Sequence, residues 1–283
     1  MLKSNLAQRL ATAVVAIPVL VWLLFPGPAW AFYVLALLVT ILGARELFMM
    51  SHPDDAISQA IGVLMTSVVS AAMYLGSGDL RVVLTILISV PLLGQLVTLV
   101  RLGDIPSAAR RSMSMAAGPV LIGLPLTLMA LIKKDGGATG PGWVMACFCF
   151  AWIADTGGYF AGRFLGKHKL YEAVSPKKTV EGAVGALLAN VAVAWLIQRY
   201  LLPNMSYLYL AVLGLVAGVF GICGDLAESL LKRSVGVKDS GSLIPGHGGI
   251  LDRIDALIMT TAVVYLARLW MAAPSCPSML SQG

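Results

Sequence analysis

The chain has 283 residues, of which 58% are hydrophobic and 12% charged, and its mean hydropathy is +0.86. Soluble domains carry about 25% charged residues, so this composition excludes an ordinary soluble enzyme and indicates a polytopic membrane protein. The net charge of +6 is typical of basic loops and anionic headgroups on one side of a bilayer. We therefore infer no binding to nucleic acid.

Apolar segments follow one another along the whole chain, and about 20 residues suffice to cross a bilayer. We predict an all-α polytopic integral membrane protein of about nine transmembrane helices, at 9–25, 29–50, 56–75, 80–100, 112–132, 142–162, 180–201, 207–230 and 250–272. Lys3, Arg9 and the run Ala29-Trp30-Ala31 also fit a cleaved signal peptide. We favour an uncleaved first helix, because no secreted domain follows.

The basic residues divide unevenly between the two sets of loops. With a cytoplasmic N-terminus, fifteen Lys and Arg side chains fall on the cytoplasmic side and five on the outer side. The positive-inside rule therefore predicts a cytoplasmic N-terminus. Both polar loops of the C-terminal half then face the cytosol. We expect the protein to lie in the inner (plasma) membrane of the cell.

Acidic residues distinguish the two halves of the chain. In the first half, charges lie mostly at the ends of the predicted spans, whereas the second half places several acids within or at the margin of apolar segments, where each costs a few kcal/mol unless it is paired or coordinated. We therefore predict a helical scaffold over 1–140, a catalytic region over 141–273 and a flexible tail over 274–283. The acids concerned are Asp155, Asp225, Glu228, Asp252 and Asp255.

Two pairs of these acids share one spacing. Asp225 and Glu228 lie three residues apart, which places both carboxylates on one helix face, and Asp252 and Asp255 repeat the pattern. If the two helices pack side by side, the four acids form an oxygen-rich pocket suited to Mg²⁺, which prefers one or two carboxylates plus substrate phosphates. Alternatively, each acid pairs with a basic neighbour, such as Glu228 with Lys232.

A glycine-rich loop lies between the acid pairs. Gly246, Gly248 and Gly249 precede a helix that begins near Ile250. Glycines let backbone N–H groups approach an anion closely, and a helix start adds N–H donors and a positive dipole end. The loop therefore predicts a phosphate-binding site, although a flexible turn and a structural His247 fit the same residues.

A second basic segment extends from residue 162 to residue 182. It comprises Gly162-Arg163-Phe164-Leu165-Gly166-Lys167-His168-Lys169 and Ser175-Pro176-Lys177-Lys178-Thr179-Val180-Glu181-Gly182. Thr179 is predicted to cap a helix that has Glu181 in its first turn. A loop that only contacts anionic lipid would also explain the charge, but not the Ser-Pro-Lys-Lys-Thr run.

These residues resemble a known signature. Ser229-Leu230-Leu231-Lys232-Arg233, Lys238-Asp239-Ser240-Gly241 and the run from Leu243 to Asp255 closely resemble the signature of phosphatidate cytidylyltransferases, also called CDP-diacylglycerol synthases. The stretch from Asp155 to Gly182 resembles the second conserved segment of that family. The resemblance covers about residues 155–256, with small departures at Gly158 and Ala256.

The resemblance implies transfer of CMP from CTP to phosphatidic acid, giving CDP-diacylglycerol and pyrophosphate, with a divalent cation, usually Mg²⁺. On the hypothesis of a direct in-line attack, we assign Asp225 and Asp252 as the leading metal ligands, supported by Glu228, Asp239 and Asp255. We assign to the CTP phosphates Lys232, Arg233, Lys238 and His247. We assign to phosphatidate or pyrophosphate Arg163, Lys167, Lys177 and Lys178, with Ser175 as a further binding residue of the same segment.

Two other functions fit part of the sequence. A related CTP-dependent enzyme acting on a polyprenol or an ether lipid would carry nearly the same motifs. A cation-coupled transporter would also place acids within the membrane, but the sequence shows no inverted repeat of broken helices. Gly214 and Gly218, at G-x-x-x-G spacing, permit a homodimer.

Overall fold

The computed structural model describes residues 14, 17–241 and 248–271. Residues 17–24 are helical, which agrees with the end of the first predicted segment, whose start lies outside the described residues. The predicted tail at 274–283 also lies outside them. Eight of the helices described are long and apolar enough to cross a membrane.

The long helices follow the predicted segments closely. In the first half they are α1 (Ala29–Ser51), α2 (Ala56–Leu75), α3 (Leu80–Val100) and α4 (Ile105–Asp135). A 3₁₀ turn at Gly137–Thr139 precedes α5 (Gly140–Leu165), and the remaining helices are α6 (Val180–Tyr200), α7 (Tyr207–Ser234) and α8 (Leu251–Met271). The prediction of an all-α polytopic membrane protein is confirmed.

Side-chain caps fix where several helices begin. The Asp55 carboxylate accepts a hydrogen bond from the Ser58 backbone at 3.1 Å and starts α2. Asp79 starts α3 in the same way, because its carboxylate accepts a hydrogen bond from the Arg81 backbone N–H at 2.7 Å. These acceptors satisfy N–H groups that have no partner inside the helix. The two caps therefore fix where a new helix begins after each turn.

A short hairpin, which the sequence did not predict, interrupts the helices. Strands β1 (Lys169–Tyr171) and β2 (Ser175–Thr179) pair antiparallel, with Lys169 opposite Thr179 and Tyr171 opposite Ser175. Thr179 ends the hairpin and caps α6, because its hydroxyl accepts from the Gly182 backbone at 3.1 Å. The predicted cap is thus confirmed.

The helices form two compact units. The described residues up to Leu131, together with Ser234–Arg253, form the first unit. Ile132–Arg233 and the described residues from Ile254 onward form the second. The segment Ser234–Arg253, which carries most of the family signature and is called the signature loop below, groups with the N-terminal helices. The boundary near residue 140 between scaffold and catalytic regions stays a prediction.

Glycines set the packing inside the first unit. A side chain at Gly62 of α2 would lie 2.6 Å from the Phe48 ring of α1, and one at Gly94 of α3 would lie 2.6 Å from the Met115 backbone of α4. Phe48 is fully buried. Small residues let membrane helices approach closely, since lipid supplies no hydrophobic force between them.

Small residues also let the helices of the second unit pack closely. A side chain at Gly157 of α5 would lie 2.6 Å from the Ala189 side chain of α6. Asn190 of α6 donates to the carbonyl oxygens of Phe150 at 3.1 Å and Gly214 at 2.9 Å. This one buried amide therefore ties α5, α6 and α7 together.

The G-x-x-x-G pair of α7 packs inside the chain. A side chain at Gly214 would lie 2.8 Å from the Phe150 ring, and one at Gly218 would lie 2.8 Å from the Asn190 amide. The expectation that these glycines offer a face to a second copy is wrong, because α5 and α6 already cover it. Homodimer formation stays a prediction without that motif.

Candidate functional site

A cavity in the second unit collects many of the predicted site residues. It has a volume of ≈ 390 Å³ and is lined by α5, the hairpin and the two following helices. Its glycine and alanine lining leaves room beside the charged side chains. Those charged side chains are Asp155, Arg163, Lys177, Lys178 and Asp225.

An ion pair joins the hairpin to α7 at this cavity. The Lys178 ammonium lies 2.5 Å from a carboxylate oxygen of Asp225, and each side chain is about one quarter exposed. Lys178 stands near the end of β2, next to the Thr179 cap, so the hairpin fixes its position. We had assigned Asp225 to a metal and Lys178 to a substrate phosphate, and the structure pairs the two with each other.

A second group of acids lies where α7 packs on α8. A side chain at Gly224 would lie 2.8 Å from the Asp255 carbonyl oxygen, so the two helices touch there. Asp255 is half-buried and interacts electrostatically with Asp225, Glu228 and Asp155. The convergence of all four predicted acids, which includes Asp252, stays a prediction.

Glu228 and Lys232 form the ion pair that the sequence analysis gave as the alternative to a shared metal pocket. Their charged groups lie 2.5 Å apart, and Glu228 is 8% exposed and Lys232 7% exposed. Two buried charges require each other, since either one alone would remain desolvated. Lys232 thus contacts a carboxylate at the place where CTP phosphates were expected.

Three of the remaining predicted basic residues, Arg163, Lys167 and Lys177, lie on or beside the hairpin. Arg163 donates to the Tyr159 hydroxyl at 2.7 Å and lines the cavity. Lys177 is exposed on β2, where Ser175 is the first residue. The backbone N–H of Lys167 donates to the Glu181 carboxylate at 3.1 Å, which anchors the hairpin to α6. Arg233 is exposed at the end of α7.

The signature loop forms a separate polar cluster in the first unit. One oxygen of Asp252 accepts from the Ser240 backbone at 3.0 Å, the Ser240 hydroxyl at 3.0 Å and the Gly249 backbone at 2.9 Å. Lys238 and Asp239 are exposed nearby in the chain. Asp252 is therefore held by three donors from its own loop.

The helix start in this loop does not carry the free donors that the sequence predicted. The N–H groups of Ile250 and Leu251 donate to the Glu46 carboxylate at 2.9 and 2.8 Å, and Gly249 donates to Asp252. That expectation is wrong at these three positions. Gly248 adopts φ +81° beside Asp252, while Gly246 and His247 lie outside the described residues.

The donor set is compatible with a magnesium ion bridged to substrate. Within residues 14, 17–241 and 248–271 no group of three or more His, Cys, Asp or Glu side chains is arranged to hold a metal. Mg²⁺ needs only one or two carboxylates when substrate phosphates complete its shell, and Asp155 and Asp225 line the same cavity. Asp225 and Asp252 lie in different units, so their sharing of one cation stays a prediction.

Comparison with known proteins now decides the family. The sequence profile of the cytidylyltransferase family matches residues 7–270. A Synechocystis protein named phosphatidate cytidylyltransferase is 35% identical over 91% of this chain and 94% of its own length. The chain belongs to the cytidylyltransferase family.

Other relatives match a shorter region. Proteins named phosphatidate cytidylyltransferase from Staphylococcus epidermidis and Bacillus subtilis are 44% and 46% identical, over 41% and 40% of this chain. The chain spans 45% and 42% of those two proteins, less than half of their length.

Sequence reasoning missed one acid. Glu46 lies at the C-terminal end of α1 and is 6% exposed, yet the first half was interpreted as scaffold only. A signal was present, because an acid at the end of an apolar segment beside Ala44 and Leu47 requires a partner. The partner, on the signature loop, is nearly two hundred residues away and gives no local pattern.

Proposed function

We propose that this protein transfers CMP from CTP to phosphatidic acid, producing CDP-diacylglycerol and pyrophosphate for phospholipid synthesis. Membership of the cytidylyltransferase family and the names of the relatives support this reaction. The single structural observation that carries it is the Lys178–Asp225 pair at a cavity lined by further charges of both signs.

The reaction is an in-line displacement at phosphorus. A phosphate oxygen of phosphatidic acid forms a bond to the α-phosphorus of CTP, while the bond to the bridging oxygen breaks and pyrophosphate leaves with its electron pair. Both reactants are anions, so the protein must chiefly neutralise charge and align the groups. Lys177, Lys178 and Arg163 supply cations at the cavity for that purpose.

The acids would hold the divalent cation. Asp225 and Asp252 are the proposed ligands of Mg²⁺, supported by Glu228, Asp239 and Asp255. When bound, Mg²⁺ would neutralise and orient the substrate phosphates. Lys178 is placed to exchange its contact with Asp225 for one with a phosphate oxygen, because their ion pair is partly open to solvent.

One assay tests the proposed reaction against its rivals. Purified protein in mixed micelles with CTP, phosphatidic acid and Mg²⁺ should release pyrophosphate and form CDP-diacylglycerol in equal amounts. Turnover with a polyprenol or an ether lipid phosphate, but not with phosphatidic acid, would assign the related lipid enzyme instead. Silence with all of these lipids, in protein that unfolds cooperatively on heating, would contradict the enzyme and favour a transporter.

We further propose that the site faces the cytosol from the inner membrane, where CTP is available. The charge distribution supports this orientation. In a variant without its four cysteines, a cysteine at Lys169 should react with an impermeant maleimide only from the cytosolic side. A cysteine at Gly137 should react only from the outside, and the reverse pattern would overturn the orientation.

A further inference from the structure

Glu46 makes a set of contacts that have no role in the proposed mechanism. One carboxylate oxygen accepts from the Ile250 backbone at 2.9 Å, and the other accepts from the Leu251 backbone at 2.8 Å and the Ser240 hydroxyl at 2.8 Å. Because Leu251 is the first residue of α8, Glu46 caps this helix from a distant part of the chain. A negative charge at a helix N-terminus is stabilised by the dipole as well as by the donors.

The Ser240 hydroxyl also connects Glu46 to Asp252. This hydroxyl lies 2.8 Å from Glu46 and 3.0 Å from the Asp252 carboxylate, so the two carboxylates share its single proton. Asp252 is in the first turn of α8, directly after the residue that Glu46 caps. Glu46 therefore fixes both the helix that carries Asp252 and the serine that contacts it.

Two glycines of the signature leave space for this carboxylate. A side chain at Gly241 would lie 2.6 Å from a Glu46 carboxylate oxygen. A side chain at Gly249 would overlap both Glu46 and the Ser240 hydroxyl. These positions thus accommodate a protein carboxylate, which for Gly249 is a different role from the phosphate cradle that the sequence suggested.

We infer that Glu46, in the predicted scaffold half, is a positioning residue that orients Asp252 for the divalent cation. This inference rests on the proposed function, in which Asp252 is a metal ligand. Partners that hold a metal ligand in place typically contribute about 10–100-fold to metal affinity or activity. Glu46 itself need not touch CTP, lipid or metal.

The first experiment measures the dependence of activity on Mg²⁺. Glu46→Gln keeps the shape but offers one acceptor oxygen instead of two, so the KM for Mg²⁺ should rise about tenfold, and Glu46→Ala should raise it further. The KM for phosphatidic acid should stay unchanged. Asp54→Asn, which removes an exposed carboxylate of the same unit at a position of φ +64° that Asn tolerates, is the matched control and should behave as the wild type.

The second experiment needs no turnover. Amide hydrogen exchange of the protein without substrate should become about tenfold faster or more at Ile250 and Leu251 in Glu46→Gln, because their acceptor is weakened. Exchange in α2 and α6 should not change. Faster exchange throughout the protein would mean general destabilisation and would overturn the positioning role.

The two experiments separate the inference from the proposed function. Unchanged exchange at Ile250 and Leu251, or an unchanged KM for Mg²⁺ in an active Glu46→Gln variant, would overturn the positioning role. If the wild type forms no CDP-diacylglycerol, the proposed function fails with the metal part of the inference, while local exchange still decides whether Glu46 holds the loop.

Discussion

The two polar clusters hold their carboxylates in different ways. In the first unit, Glu46 and Asp252 accept hydrogen bonds from backbone N–H groups and a serine hydroxyl. In the second unit, Asp225 is paired with Lys178. The donors identified in the first unit are backbone N–H groups and one serine hydroxyl, whereas the pair in the second unit depends on a long lysine.

Magnitudes indicate what each arrangement is for. A hydrogen bond to a charged group contributes about 1.5–3 kcal/mol, so a buried carboxylate with three donors is costly to move. A partly exposed ion pair contributes about 1 kcal/mol or less. The first cluster is therefore suited to hold geometry, and the second to exchange partners when substrate arrives.

The largest effect is expected at Asp225, whose ion pair with Lys178 is suited to exchange partners. Asp225→Asn should reduce activity to below about 1%, because the amide cannot replace an anionic metal ligand. The protein should remain folded and membrane-inserted, since Asn fills the same space beside Lys178. Pyrophosphate release and thermal unfolding in detergent measure both properties, and near wild-type turnover would make Asp225 structural.

A smaller effect should distinguish the basic residues by substrate. If Lys177 and Lys178 serve the lipid phosphate, Lys177→Ala should raise the KM for phosphatidic acid about tenfold and spare that for CTP. Lys238→Ala, in the first unit, should do the opposite. Steady-state kinetics with each substrate varied in turn measures the split.

Two results would correct this division. A higher KM for CTP alone in Lys177→Ala would show that the hairpin contacts the nucleotide. Equal losses of kcat with both KM values unchanged would place these cations on the transition state, most directly on the departing pyrophosphate.

The last prediction concerns the pH dependence of stability, not activity, and the first unit alone. His52 follows the end of α1, and burial together with the Arg111 guanidinium lowers the pKa of its ring from 6.5 to about 4. The unfolded chain takes up a proton as the pH falls through 6.5, whereas the folded chain does so only near pH 4. Stability from this group is therefore complete above pH 6.5 and is lost between the two values, by at most about 3 kcal/mol.

Thermal unfolding in detergent tests that expectation. The Tm of the wild type should fall between pH 7 and pH 4.5, and His52→Asn should remove part of the fall. Asp55 nearby does not contribute in this range, because hydrogen bonds from Ser58, Arg101 and Arg111 outweigh its burial and hold the pKa of its carboxyl well below the usual range. Identical pH profiles of variant and wild type would contradict the role of His52.

The sequence by itself determined the helices, one cap and the family resemblance. Long apolar runs, turn residues and a threonine before Val180 are local signals, and the described helices follow them within a few residues, except that α4 begins at Ile105 and not near residue 112. The three-residue spacing also placed Asp225 and Glu228 on one helix, where Glu228 pairs with Lys232.

Only the tertiary structure decided which groups meet. Glu46 and Ser240 are 194 residues apart, and no periodicity connects them. The Lys178–Asp225 pair requires a hairpin whose strands have three and five residues, too short to give a clear alternating pattern. Gly248 and Gly249, which the sequence assigned to a phosphate cradle, pack on the Asp252 and Glu46 carboxylates instead. The predicted dimer-face glycines of α7 pack on α5 and α6, because the space beside a glycine is set by whichever element packs there.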